Sequence, residues 1–173
     1  MDAYVFASSA TGNALSTLAT QVGNGGPARV VLPLSGDRAV YVAIEAPDEE
    51  TLEEEIDAVL GVTGLSGATA YIVDEAAYDD YTFPTHAVVS AWVGFALLQS
   101  NAAVTLAGVV DGMTGVSGVA VVDNGSQKVL VEVTASTSTS LSSYLSSVTA
   151  AQGVTGVTFT ATGQLSNGAG FPV

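Results

Sequence analysis

The sequence predicts an α+β fold in which one chain carries two copies of a β-α-β-β-α-β unit, and three observations lead to it. The stretch Gly36 to Val73 returns about ninety residues later as Gly125 to Thr162. In both stretches a glycine is followed by apolar β-formers in alternation, Val40, Val42 and Ile44 in one and Val129, Val131 and Val133 in the other. A helical stripe comes next in each: Leu52, Ile56, Val59 and Leu60, then Leu141, Tyr144, Leu145 and Val148.

Each stripe ends on Gly-Val-Thr-Gly, at Gly61–Gly64 and Gly153–Gly156, because glycine takes a helix C-cap without steric cost. The first copy opens with a strand at Ala3–Ser8 and a helix from Thr11 to Val22 that carries Leu15, Leu18, Ala19 and Val22 on one face. Gly23-Asn24-Gly25-Gly26-Pro27 stops that helix. Arg29–Leu34 is the second strand, marked as an edge or a bulge by Pro33. Pro47 and Asp48 open the second helix, and Ala68–Val73 closes the copy. The second copy repeats the order: strand Val88–Leu98, helix Asn101–Gly112, strands Val116–Val122 and Lys128–Val133, helix Leu141–Ala151 and strand Val157–Thr162. Asn124-Gly125 is a strong hairpin signal. This order is that of a split β-α-β, or ferredoxin-like, unit. Residues 1–76 form the first repeat, 77–86 a linker, 87–163 the second repeat and 164–173 a tail. Each antiparallel sheet has a face to cover, so the expected architecture is an intrachain pseudo-dimer of the dimeric α/β-barrel type.

Composition narrows the function. The chain has 173 residues, 48% of them hydrophobic, and no cysteine, which excludes disulfides and thiolate chemistry. Net charge is −14, with Arg29, Arg38 and Lys128 the only Lys or Arg. Phosphate backbones and anionic membranes need clustered cations, so neither nucleic acid nor a membrane surface is an expected partner. No apolar run reaches the ~18 residues of a span and no basic segment leads an apolar one at the start, so a cytoplasmic protein is expected. Fourteen of the seventeen Asp and Glu precede residue 81, so the first copy is acidic and its twin Ser/Thr-rich. The high apolar content predicts a homo-oligomer.

The second copy resembles the effector-binding domain of the Lrp/AsnC family. The residues that carry the likeness are Trp92–Leu98, Val109–Val116 and Asp123-Asn124-Gly125 leading into Val129–Val133; the first copy adds Ser35–Arg38 and Leu60–Leu65. The resemblance implies sheet-mediated dimerisation, further assembly and amino-acid binding in clefts between subunits. The family's basic helix-turn-helix does not precede the domain in this sequence, and the second central turn, Gly125-Ser126-Gln127, has no acid where the first has Gly36-Asp37.

Four residues stand out as ligand-binding candidates: Asp37, Arg38, His86 and Trp92. Asp37 and Arg38 could take the ammonium and carboxylate of an amino acid, although Asp is also a standard turn former. His86 is the single histidine, so no catalytic His pair or His-based metal cluster can form within one chain. Trp92 suits packing, an interface or a ligand stack. The acidic run Asp48–Asp57 reads as a solvated helix face, not a metal site. The glycine-rich segments lack the strand–turn–helix context and the lysine of a phosphate loop. No nucleophile, cofactor or metal is expected. The leading expectation is a non-catalytic small-molecule-binding or oligomerising module. A cofactor-free monooxygenase-like enzyme and a structural assembly subunit are the alternatives.

Overall fold

The computed structural model describes residues 1–78 and 91–165. These residues form a mixed α+β structure with four helices and one large antiparallel sheet. In chain order the elements are β1 (Asp2–Ala7), β2 (Ser9–Ala10), α1 (Ala14–Gly23), β3 (Ala28–Pro33), β4 (Ser35–Gly36), β5 (Val40–Glu45), α2 (Glu49–Leu60), β6 (Leu65–Ser66), β7 (Thr69–Val73), β8 (Trp92–Gln99), α3 (Ala103–Asp111), β9 (Val116–Asp123), β10 (Lys128–Ala135), α4 (Ser138–Thr149) and β11 (Gly156–Gln164).

The main sheet has nine strands in the order β3-β5-β1-β7-β9-β10-β8-β11-β4. Its first four strands and the next four follow one scheme, with the second, third, first and fourth long strands of each half side by side. The halves meet edge to edge where Ile72 pairs with Asp123 and Val73 with Val122. The Asp74 N–H extends this seam to the Val121 carbonyl at 2.9 Å. At the other limit β4 pairs with β11, Gly36 opposite Ala161 and Ser35 opposite Thr162. Only Leu34 separates β4 from β3, the strand at the opposite limit of the sheet. The sheet therefore closes on itself as one continuous wall.

Alternation along the strands sorts the side chains into an inside and an outside. Tyr4, Phe6, Tyr41, Tyr71, Phe95, Leu97, Leu130 and Phe159 form one buried cluster drawn from both halves. Phe6 lies at its centre, 5.1 Å from Tyr41, 5.5 Å from Phe95 and 4.7 Å from Phe159 between ring centroids. On the outside, α1 and α2 cover the first half through Leu18, Leu52, Ile56 and Val59. In the same way α3 and α4 cover the second through Leu106, Val110, Leu141, Leu145 and Val148. Burying one such side chain is worth about 1.5–3 kcal/mol.

Local chemistry fixes the helix starts. The Asp48 carboxylate accepts the Thr51 N–H at 2.8 Å and caps α2, and that bond holds its carboxyl below the usual range. Glu49, Glu50, Glu53, Glu54 and Asp57 stand exposed on α2, away from its apolar stripe. The Thr137 hydroxyl accepts the Ser140 N–H at 3.1 Å, so α4 begins at Ser138, before the predicted Leu141. The small ladder of β2 with β6 and the strand β4 have no counterpart in the sequence expectation. The predicted tail begins inside the fold: Gln164 belongs to β11, and the Leu165 N–H donates to Ala91 O at 2.8 Å.

Candidate functional site

A groove of about 460 Å³ lies on the outer side of the second half, between α4 and the outward face of β11. The sequence builds it in three steps. Serine is a modest helix former, so α4 depends on packing through its Leu141, Leu145 and Val148 stripe. Gly94 on β8 lets that stripe come close, since a Cβ there would stand 2.7 Å from Leu145 Cδ1 and 3.3 Å from Leu141 Cδ1. Ser138, Ser142 and Ser146 then recur every four residues and line up along the groove edge of α4.

Opposite them stand Thr160 and Thr162 of β11, with Trp92 at the start of β8 and Leu141 and Leu145 forming the apolar part. Some hydroxyls are turned inward to the helix: Ser146 Oγ donates to Ser142 O at 2.9 Å and Thr149 Oγ1 to Ser146 O at 3.1 Å. Among the described residues the hydroxyls of Ser138, Ser142 and Thr160 have no partner and can face a ligand. No described residue of the lining titrates near neutral pH. The arrangement can stack a ring on Trp92 and exchange hydrogen bonds with hydroxyls, but its described residues supply no acid, base or charged oxyanion stabiliser.

The four sequence candidates separate in the structure. Trp92 lines the groove. Asp37 is at the seam behind it, where its N–H donates to Thr160 O at 3.0 Å and its Oδ2 accepts the Thr160 N–H at 2.9 Å. Its carboxylate continues the β4–β11 ladder beyond Gly36. Gly36 makes the turn possible with a φ of 101° and a virtual Cβ only 3.1 Å from Thr160 O. Arg38 projects the other way, its guanidinium 4.4 Å above the Phe159 ring. His86 lies outside the described residues. The sequence expectation gives no ligand role to the serines of α4 or the threonines of β11, although the Ser138/Ser142/Ser146 spacing and the Thr158/Thr160/Thr162 alternation are visible in it. Neither pattern says that α4 and β11 face each other.

Comparison with protein-family models gives no match, and comparison with curated proteins gives no significant one. No helix of the described residues is long and apolar enough to cross a membrane. Among the same residues no group of three or more His, Cys, Asp or Glu is placed to hold a metal ion.

Proposed function

We propose that the chain is a non-catalytic binding module of two tandem ferredoxin-like halves, a dimeric α/β barrel within one chain, and that its ligand is a small neutral molecule held in the α4–β11 groove. The repeated strand order and the shared interior support the architecture. The lining carries the functional reading: one tryptophan, two leucines and six hydroxyl side chains, within a volume in the range of small-molecule sites. A zwitterionic amino acid would bring two charges to walls that offer only hydroxyls, and unpaired charges are costly to desolvate. A neutral polyhydroxylated ring, apolar on one face and polar at its edge, matches Trp92 and the hydroxyls. This reading keeps the effector-module role that the Lrp/AsnC resemblance implies and changes the ligand class. Its oligomerising side is supported by α3, where Val104 and Val109 are 48% and 47% exposed on a helix that carries no Lys or Arg.

A thermal-shift screen of neutral sugars, polyols and amides beside the twenty amino acids tests the reading. A ligand at a hundred times its Kd stabilises by about 2.7 kcal/mol, which for a chain of this size raises Tm by about 5–10 °C. The expected result is such a rise with a neutral compound, lost in Ser142→Leu, which fills the groove from an exposed helix position. A rise confined to amino acids, and unchanged in Ser142→Leu, would contradict it.

A further inference from the structure

The cations of this acidic chain point to a second site. The turn from β3 to β5 carries Arg38, and Lys128 opens β10 directly after the β9–β10 turn. Antiparallel pairing of β5 with β1, β1 with β7 and β7 with β9 brings both turns to the same end of the closed sheet. There the two cations are exchanged between the halves. Arg38 of the first half lies over Phe159 of the second, 4.4 Å from its centroid. Lys128 of the second half lies 5.8 Å from the ring centroid of Tyr71 in the first. Tyr71 and Phe159 are themselves 6.4 Å apart between centroids, and Arg38 lies beside the Tyr71 hydroxyl.

Seventeen carboxylates compete for very few cations in this sequence, yet among the described residues neither Arg38 nor Lys128 forms a salt bridge; Arg29 takes Glu45 at 3.3 Å. The acids nearest this end in sequence and pairing are occupied elsewhere. Asp37 accepts from the Thr160 N–H, Asp74 from Ala77 N–H and the Gln127 amide, and Asp123 from the Gly125 N–H. Arg38 Nη1 donates to Asp37 O at 2.7 Å, while its Nε–H is buried with no acceptor. Among the described residues Lys128 has one hydrogen-bond partner, Asn124 Oδ1 at 3.3 Å. A buried charged donor without an acceptor is costly, and a guanidinium fork is shaped for two oxygens of one group.

We propose that this end of the closed sheet binds a small oxyanion, with Arg38 and Lys128 as its cationic ligands and the Tyr71 hydroxyl as a neutral donor between them. The anion joins a cation of one half to a cation of the other, and so bridges the closed sheet. Burial pushes the Tyr71 hydroxyl up, against the smaller opposite pulls of Arg38 and of the hydrogen bond with Thr69. The site is independent of the α4–β11 groove.

Because the chain carries −14, any salt stabilises it by screening, so the test compares anions at equal ionic strength. Sodium acetate, sulfate and phosphate are titrated against sodium chloride at pH 7, with melting temperature and calorimetric binding as readouts. The expected result is saturable binding of at least one oxyanion above the chloride baseline. Losing a charge-assisted hydrogen bond weakens binding about ten- to a hundredfold, so Arg38→Gln and Lys128→Gln should each do so, with near-UV circular dichroism unchanged. Ser142→Leu should bind the anion normally. Equal shifts with chloride and every oxyanion, or binding that persists at full strength in both cation variants, would overturn the proposal.

Discussion

Replacing Phe6 by alanine is expected to lower the unfolding free energy by about 3–5 kcal/mol and to be felt throughout the molecule. Phe6 is fully buried and touches Tyr41 and Tyr71 of its own half and Phe95 and Phe159 of the other. The pairs with Tyr71 and Phe95 are edge-on and those with Tyr41 and Phe159 tilted, and aromatic pairs in favourable geometry add about 0.5–1.5 kcal/mol each beyond the area they bury. The single tryptophan, Trp92, lies in the opposite half and reports on it. In urea, the Trp92 fluorescence midpoint of Phe6→Ala should fall together with the far-UV signal, in one transition. A Trp92 midpoint that stays in place while the far-UV signal splits would mean that the halves fold separately.

The second large effect is expected at the closure. Gly163 of β11 faces the end of β3, and a Cβ there would stand 3.0 Å from both Leu34 Cδ2 and the Pro33 carbonyl oxygen. The leucine can turn aside, but the carbonyl belongs to the backbone and cannot. Gly163→Val should therefore destabilise by about 2–3 kcal/mol, the upper part of the overpacking range, and loosen the closure before the rest. Amide exchange at Thr160, whose N–H is held by Asp37 Oδ2 at 2.9 Å, should accelerate more than exchange at Val131 in the middle of the wall. Unchanged stability with Thr160 still protected would contradict the closure.

Much of this architecture was legible in residue patterns because those patterns are local. The apolar stripe of α2, the Asn124-Gly125 turn and the alternation through Val40–Glu45 each answer to a period or a turn preference within a few residues. The closure was not legible. It rests on two pairs between Ser35–Gly36 and Ala161–Thr162, more than a hundred residues apart, and a two-residue strand has no periodicity. Asp37 shows the consequence for the site. Its identity suits a turn first and a ligand second, and the strand extension emerges only from the position of Thr160. Trp92 stood out because it is the sole tryptophan, whereas Ser142 and Thr160 are ordinary among many hydroxyls until the fold sets them face to face. Arg38 and Lys128 drew no joint notice, since their shared end of the sheet depends on a chain of three strand pairings.

The most direct measurement of the binding role uses Trp92 itself, which lines the groove and is the only indole in the chain. Its emission is followed while neutral polyhydroxylated compounds are added to the purified protein, with Ser142→Leu titrated in parallel. A saturable change in intensity or wavelength is expected for the natural sequence and none for the variant. Trp92 emission that is indifferent to every neutral compound, but responds to dilution of the protein, would instead assign the groove to contact between copies of the chain and contradict a small-molecule role.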